Sequence, residues 1–137
     1  MNSSGKRKTV FLDRDGVINV DRGYVFKVED FEFFPDTLLA LKTLQDRGYQ
    51  IIIITNQSGI ARGFYTVRQY KNLTSYYLKQ FKRYGIKNVK VLFCPHHPNA
   101  KIKKYKKECN CRKPGIALFE KAIKKYMLLT KRWCLLH

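Results

Sequence analysis

Short, mostly apolar runs at three places along the chain predict buried strands. They cover residues 9–12, 51–54 and 89–93, and the second run consists of isoleucines only. Such runs are typical of strands that are buried on both faces, as the strands of a parallel sheet are. Polar residues follow each run and mark the end of the strand. We therefore predict three strands of one parallel sheet.

Between and after these runs, apolar residues recur at intervals of three and four, which predicts helices. The first helix starts at residues 35–36 and stops at Gly48. The second starts with a capping box formed by Thr66 and Gln69, and the third spans residues 116–127. The inward-facing side chains are predicted to be Leu38, Leu41 and Leu44, then Val67, Tyr70, Leu73, Tyr77, Phe81 and Tyr84, and finally Phe119, Ala122, Ile123 and Tyr126.

The alternation of strands and helices predicts an α/β fold with a doubly wound, Rossmann-like parallel sheet. The chain has 137 residues, 45% of them apolar, which suits a single domain over residues 1–137. Right-handed crossovers place helices on both faces of such a sheet. Ligands bind outside the carboxyl ends of its strands, so the residues that follow each strand are the candidates for chemistry.

The chain is strongly basic, with 28 lysines and arginines against 10 acidic residues and a formal net charge of +18. This charge attracts anions such as phosphates, although an ordinary solvated surface explains it equally well. No signature of a nucleic-acid-binding module is found, so nucleic acid is not an expected partner. No apolar run reaches the ~18 residues of a membrane span, and the first residues do not resemble a signal peptide. We expect a cytoplasmic monomer with a small-molecule substrate and no membrane partner.

Residues of unusual chemistry follow all three predicted strands. Carboxylates follow the first strand, a hydroxyl and an amide follow the second, and an arginine–lysine pair lies beyond the third. Each group alone is an ordinary helix cap, turn residue or surface lysine. Together, at one edge of a parallel sheet, they can hold a metal ion and a phosphoryl group. The candidate phosphate site consists of Asp13, Asp15, Thr55, Asn56, Arg112 and Lys113.

Three motifs carry a resemblance to a known family. They are DRDGVIN at 13–19, TNQSGIARG at 55–63, and CPHHP at 94–98 followed by CNCRKP at 109–114. These motifs resemble the haloacid dehalogenase superfamily of phosphatases, and within it the heptose bisphosphate and histidinol phosphate phosphatases. The doubled histidine, the GIARG part of the second motif and NVDRGYV at 19–25 are more similar to the heptose group. Histidinol phosphate remains the alternative substrate.

The resemblance implies phosphomonoester hydrolysis that depends on Mg²⁺. Asp13 is expected to attack phosphorus and form an aspartyl-phosphate. Asp15 is expected to protonate the leaving sugar oxygen and later to deprotonate the water. The Asp13 carboxylate and the Asp15 backbone carbonyl would hold the Mg²⁺ between them. In the heptose group, this reaction belongs to the synthesis of heptose precursors for lipopolysaccharide or the S-layer.

The same resemblance implies roles for the remaining candidates. Thr55 and Asn56 would donate hydrogen bonds to the phosphoryl oxygens, and Lys113 would neutralise the charge that accumulates beside Asp13. Arg112 would bind a substrate phosphate through two parallel hydrogen bonds.

The loop over residues 94–111 contains a set of zinc ligands. Cys94, His96, Cys109 and Cys111 form two pairs, and three sulfurs with one imidazole suit a tetrahedral structural zinc site. The alternatives are buried thiols, or disulfides in an oxidising compartment. Zinc would fix the loop and with it Arg112 and Lys113, which directly follow a ligand. The five lysines of the loop are expected to form a solvated rim, with attraction of anions as the alternative. His97 is expected to support the loop, with a contact to the substrate as the alternative.

The sequence departs from the family pattern after the third predicted helix. Family members continue into a strand that ends in Gly-Asp and supplies a further Mg²⁺ ligand, whereas residues 131–137 read KRWCLLH. We therefore expect a sheet that lacks its C-terminal strands and a chain shortened relative to the family. A third hypothesis follows, in which the chain is an inactive, basic, zinc-binding remnant that only captures anions.

Overall fold

A parallel β-sheet with helices on both faces forms the fold. The computed structural model describes residues 8–107, 109, 117–126 and 133–136. In chain order the elements are β1 (Lys8–Leu12), α1 (Thr37–Asp46), β2 (Tyr49–Asn56), α2 (Ser58–Ala61), α3 (Val67–Arg83), β3 (Lys90–Cys94), α4 (Ala117–Tyr126) and β4 (Trp133–Leu136). The sheet has the spatial order β3-β2-β1-β4, and 3-10 turns at Val28–Asp30 and Lys103–Tyr105 lie in connecting segments.

Successive residues of the two central strands face opposite sides of the sheet and build two apolar layers. On one side, Val10 and Ile53 lie in a cluster that includes side chains of α1 and α3. On the other side, Phe11 and Ile52 lie in a cluster with Leu118 of α4. Both strands are thus buried on both faces, which confirms the doubly wound architecture predicted from the isoleucine run.

The capping box at the start of α3 forms as predicted. Thr66 Oγ1 accepts the Gln69 N–H at 3.1 Å, and Gln69 Oε1 accepts the Thr66 N–H at 2.9 Å. The helix buries Tyr70, Leu73, Tyr77 and Phe81. Tyr84, which we expected to face inward, is 46% exposed because it follows the last helical residue, where the chain turns away. None of the described helices combines the length and the apolar character that a membrane span requires.

The other two predicted helices also form. α1 buries Leu41, and α4 buries Ala122 against the opposite face of the sheet. The predicted ends at residues 116 and 127 lie outside the described residues. The short helix α2 was not predicted, because four residues are too few to show a helical period.

The structure contains a strand that the sequence analysis did not assign. β4 pairs in parallel with β1, with Thr9 opposite Trp133 and Leu12 opposite Leu136. The expectation that the sheet lacks its C-terminal strands is therefore corrected for this strand. Four residues give no clear local signal, and this strand forms because the edge of β1 offers backbone partners that only the folded sheet presents.

We predict that Ile52→Ala lowers the free energy of unfolding by about 2–5 kcal/mol, because Ile52 is completely buried and the truncation leaves a cavity between β2 and α4. The matched control is Leu39→Ala on α1, where the side chain is 59% exposed, and its effect should stay within ~0.5 kcal/mol. Urea denaturation followed by circular dichroism measures both values. Similar losses in the two variants would contradict the two-layer core.

Candidate active site

A pocket of about 280 Å³ opens where β1 and β2 end, at the edge of the sheet that the sequence analysis singles out. Three of the predicted residues line it, namely Asp13, Asp15 and Asn56, together with Gln57 and Tyr65 among others. The predicted Thr55 is buried at the end of β2. The structure thus brings four of the six candidate phosphate-site residues together, and Arg112 and Lys113 lie outside the described residues.

A tight loop directly after β1 presents the two aspartates. The Arg14 carbonyl accepts the Ile18 N–H at 2.7 Å, and Gly16 has a φ of +87°, a conformation that disfavours any side chain. The Asp13 Oδ1 accepts the Arg14 N–H at 2.8 Å. This loop allows both carboxylates to face one pocket although they are only two residues apart.

The Asp15 carboxylate is held by several nitrogen donors. Its Oδ1 accepts Arg14 Nη2 at 2.8 Å, Arg14 Nε at 3.3 Å and Asn19 Nδ2 at 3.1 Å. Its Oδ2 accepts Gln57 Nε2 at 3.3 Å. Asp15 is partly exposed, whereas the side chain of Arg14 is only 1% exposed. The negative charge at the pocket is therefore balanced by a buried positive charge behind it.

Arg14 is buried and remains charged. Its Nη2 also donates to the Val25 carbonyl at 2.8 Å. Burial lowers the pKa of Arg14, but the charge of Asp15 and its hydrogen bonds outweigh burial, so the pKa is raised above its usual value. A buried charge that loses its partner is strongly destabilising, so Arg14 and Asp15 form one structural unit.

The amide of Gln57 joins the two strand ends. Its Nε2 donates to Thr55 Oγ1 at 2.9 Å and to Asp15 Oδ2 at 3.3 Å, and its Oε1 accepts the Tyr65 hydroxyl. Thr55 Oγ1 in turn donates to the Asn56 carbonyl at 3.4 Å, which is a long hydrogen bond. Because Thr55 Oγ1 already accepts a hydrogen bond from Gln57 Nε2, Thr55 can bind the oxygen of a ligand by donating its own hydroxyl proton.

The aromatic ring of Tyr65 forms a wall of the pocket. It stacks on Phe26 with ring centroids 5.1 Å apart and is 5% exposed. Gly59 of α2 allows this position, because a Cβ there would lie 2.2 Å from Tyr65 Cε1 and 3.0 Å from Tyr24 Cδ1. The close approach of the Tyr65 ring thus explains why residue 59 of the second motif is a glycine.

Three of the four predicted zinc ligands come together beside the pocket. Cys94 Sγ lies 3.3 Å from Cys109 Sγ, and His96 Nδ1 lies 3.2 Å from Cys109 Sγ and 3.8 Å from Cys94 Sγ. The ligand atoms all lie within 4.8 Å of one another. Cys111, the fourth predicted ligand, lies outside the described residues.

The three ligand atoms fit a tetrahedral zinc ion. Bonds of about 2.0–2.3 Å place the ligand atoms of such a site about 3.5–3.8 Å apart, close to the separations observed. Burial lowers the pKa of His96, and the charge of Lys107 lowers it further, which favours the neutral imidazole that binds metals. The oxygen-rich pocket around Asp13 and Asp15 suits a hard ion such as Mg²⁺ instead.

Backbone hydrogen bonds connect the loop of the cysteines to the pocket. The Gln57 N–H donates to the Cys94 carbonyl at 2.8 Å, and the Ile102 N–H donates to the Ala61 carbonyl at 2.9 Å. His97 Nε2 lies 3.3 Å from Arg62 Nη2, and its Nδ1 accepts the Asn99 N–H, which agrees with the expected role of His97 in the loop. The five lysines of the loop are exposed, as predicted.

Sequence reasoning missed several residues of the site. Arg14, Asn19 and Gln57 lie within the motifs but received no role. The bonds of Arg14 and Asn19 to Asp15 depend on the shape of the loop after β1, and that of Gln57 depends on how this loop meets the end of β2. Tyr65 lies outside the motifs and was not considered. Gln57 could have been identified as a site residue because it is a polar residue in a motif that directly follows a predicted strand.

The fold, with paired aspartates at its strand ends, is of the haloacid dehalogenase type. A model of the family described as polynucleotide kinase 3 phosphatase matches residues 8–132, and the chain belongs to this family.

Similar proteins with assigned activities narrow the comparison. The D-glycero-alpha-D-manno-heptose-1,7-bisphosphate 7-phosphatase of Photorhabdus laumondii is 46% identical over 123 residues, which is 90% of this chain and 67% of that protein. The D-glycero-beta-D-manno-heptose-1,7-bisphosphate 7-phosphatase of Haemophilus ducreyi is 44% identical and is covered to 65% of its length, against 86% of this chain. The chain thus spans about two thirds of the length of these relatives.

Solved structures agree with this placement. A haloacid dehalogenase-like protein of Mesorhizobium loti superposes with a TM-score of 0.85 and 29% identity, over 95% of this chain and 62% of that one. The D,D-heptose 1,7-bisphosphate phosphatase of B. bronchiseptica, which was crystallised with magnesium and phosphate, gives a TM-score of 0.75 and 27% identity. This match covers 88% of the present chain and 64% of the other.

We predict that Gly59→Ala destabilises the chain by about 1–3 kcal/mol, because the new methyl group overlaps the ring of Tyr65 and forces it to move. The control is the same substitution in a Tyr65→Ala background, where the ring of Tyr65 is gone and only Tyr24 Cδ1 stays 3.0 Å from the new methyl group, so the added cost should be clearly smaller. Urea denaturation of the four proteins gives the coupling. An equal cost in both backgrounds would show that the ring is not what requires the glycine.

We also predict that the chain, purified without chelator, contains one zinc ion, because the clustered thiols and imidazole match the ligands that zinc prefers. Cys109→Ser should lose most of the metal, whereas Cys134→Ser, which changes a cysteine outside the ligand set, should keep it. Elemental analysis by mass spectrometry measures the content. A zinc content near zero in the unchanged chain would refute the assignment.

Proposed function

We propose that this chain carries the catalytic site of a phosphatase that removes the 7-phosphate of D-glycero-D-manno-heptose 1,7-bisphosphate through an aspartyl-phosphate on Asp13. The observation that carries the proposal is the pair Asp13 and Asp15 in one pocket, with Asp15 fixed by Arg14, Asn19 and Gln57. The relatives supply the substrate class, since the proteins most similar to this chain include several named for this sugar bisphosphate.

Asp13 acts as the nucleophile. A carboxylate oxygen of Asp13 forms a bond to phosphorus while the bond between phosphorus and the sugar oxygen breaks. The N–H of Arg14, which donates to Asp13 Oδ1, restricts rotation of this carboxylate. Fixing the nucleophile in this way reduces the entropy that the reaction must lose.

Asp15 transfers the protons. After taking up a proton from solvent on Oδ2, it gives this proton to the departing sugar oxygen, and the resulting carboxylate then takes a proton from water, which attacks the aspartyl-phosphate and releases phosphate. Asp15 suits both roles because its Oδ1 is held by Arg14 and Asn19, and this fixes the side chain through both steps.

The remaining candidates bind the phosphoryl group. Thr55 donates its hydroxyl proton to a phosphoryl oxygen, giving up the long hydrogen bond to the Asn56 carbonyl. Asn56 lines the pocket and contributes a second polar contact. Lys113 neutralises charge beside Asp13, and Arg112 binds a phosphate of the substrate through two hydrogen bonds.

The two proposed metal ions have different roles, one in catalysis and one in structure. The carboxylate of Asp13 and the backbone carbonyl of Asp15 would hold Mg²⁺, whose charge offsets the repulsion between the nucleophile and the anionic phosphate. Cys94, His96, Cys109 and Cys111 would hold zinc, which fixes the loop that continues into Arg112 and Lys113. Zinc takes no part in the chemical steps.

The test is phosphate release by the purified chain with Mg²⁺ from three substrates. We expect turnover of heptose 1,7-bisphosphate in preference to histidinol phosphate. A 3′-phosphorylated oligonucleotide is included because the matching family model carries that description. Preference for either other substrate would replace the proposed one. If none turns over while zinc and phosphate still bind, the chain is a non-catalytic anion-binding domain.

We predict that Asp13→Asn lowers turnover by on the order of 10³-fold or more, because an amide cannot attack phosphorus. Asp15→Asn should lower it by roughly 10²- to 10⁴-fold through the loss of proton transfer, and should also lower the stability of the fold because Arg14 loses its charged partner. Steady-state phosphate release measures both, and mass spectrometry of the quenched reaction locates the phosphoryl group. Asp46→Asn, an exposed carboxylate on α1, is the matched control and should retain full activity. Full activity in Asp13→Asn would place the nucleophile elsewhere.

A further inference from the structure

The two oxygens of the Asp15 carboxylate have different surroundings. Oδ1 accepts three N–H groups from the side chains of Arg14 and Asn19. Among the described residues Oδ2 accepts one hydrogen bond, the 3.3 Å contact from Gln57 Nε2, and Asp15 lines the pocket. Three donors occupy the lone pairs of Oδ1, so Oδ2 is the oxygen with capacity for a further partner.

The amide of Gln57 has every hydrogen-bonding atom in use. Its two N–H groups have acceptors in Thr55 Oγ1 and Asp15 Oδ2, and its oxygen accepts the Tyr65 hydroxyl. A rotation of the amide by 180° would place Oε1 against the Asp15 carboxylate, which only accepts hydrogen bonds, so that contact would be repulsive and Asp15 selects the observed orientation. In this orientation the Tyr65 hydroxyl donates to Oε1 and holds the amide in place.

The position of Tyr65 is itself fixed. Its ring stacks on Phe26 and fills the space that Gly59 leaves open. Burial raises the pKa of Tyr65, more than the charge of Arg14 lowers it. The hydroxyl of Tyr65 therefore keeps its proton near neutral pH and donates a hydrogen bond to Gln57 Oε1.

We propose that Gln57 and Tyr65 are positioning residues, in which the Tyr65 hydroxyl holds the Gln57 amide in place and the amide turns Asp15 Oδ2 toward the oxygen that leaves the substrate. This inference rests on the proposed function of Asp15. The chain of contacts runs from Tyr65 through Gln57 to Asp15, and Thr55 receives the second N–H of the same amide. One buried amide thus aligns the proton donor and a phosphate-binding hydroxyl.

The role of Asp15 in protonating the leaving oxygen makes the proposal testable with two substrates. A sugar alkoxide leaves only with a proton, whereas 4-nitrophenolate leaves from 4-nitrophenyl phosphate without one. The ratio kcat/KM reports the steps up to the first phosphoryl transfer, so it excludes the shared hydrolysis of the aspartyl-phosphate. A misplaced Oδ2 should therefore slow the sugar phosphate selectively.

We expect Tyr65→Phe to lower kcat/KM for heptose 1,7-bisphosphate about five- to tenfold, which is the effect of one lost buried hydrogen bond. The kcat/KM for 4-nitrophenyl phosphate should change less than about twofold. Gln57→Glu, which keeps the shape but removes both N–H donors, should lower both ratios because Thr55 also loses its donor, with the larger loss on heptose 1,7-bisphosphate. Tyr70→Phe is the matched control, since Tyr70 lies in the same aromatic cluster and neither Asp15 nor Gln57 accepts its hydroxyl. This variant should leave both ratios unchanged.

A measurement without substrate or metal completes the test. In nitrogen-15 spectra the side-chain amide signals of Gln57 should shift and exchange faster with water in Tyr65→Phe, and should stay unchanged in Tyr70→Phe. An equal loss on both substrates, or unchanged Gln57 signals in Tyr65→Phe, would overturn the positioning role while the proposed function stands. If the unchanged chain hydrolyses neither substrate, the proposed function falls and this role falls with it.

Discussion

The ion pair between Arg14 and Asp15 is the constraint on which the site depends. A guanidinium that is almost completely buried must be paired, since an isolated buried charge costs far more than one hydrogen bond contributes. Arg14 meets this need with Asp15 on one side and the Val25 carbonyl on the other. The loop after β1 and the segment around residue 25 are thereby joined, and the pocket takes its shape from that connection.

Much of the fold could be predicted because its signals are local. The isoleucine run of β2 and the Thr66–Gln69 capping box each specify an element from neighbouring residues alone. β4 could not be predicted, since four residues form a strand only when β1 offers an edge. Tyr84 was placed wrongly because a helical period does not reveal where the helix ends.

The site divides in the same way. The order of strands and helices brought Asp13, Asp15, Thr55 and Asn56 to one edge of the sheet, which topology alone predicts. The hydrogen bonds from Tyr65 through Gln57 to Asp15 join the segment between α2 and α3 to the end of β2 and to the loop after β1. No periodic pattern in the sequence predicts that these segments lie together. The backbone N–H of Gln57 also donates a hydrogen bond to the Cys94 carbonyl. This bond connects the loop of the predicted zinc ligands directly to the residue whose side chain contacts Asp15.

The close approach of Gly59 and Tyr65 has a consequence for how such sequences diverge. The missing Cβ and the ring occupy the same volume, so the two positions cannot vary independently. A lineage that replaces the glycine first passes through a strained intermediate, whereas a lineage that first exchanges the tyrosine for a smaller residue does not. The order of the two mutations therefore matters, because a side chain at position 59 fits only after the ring has been replaced.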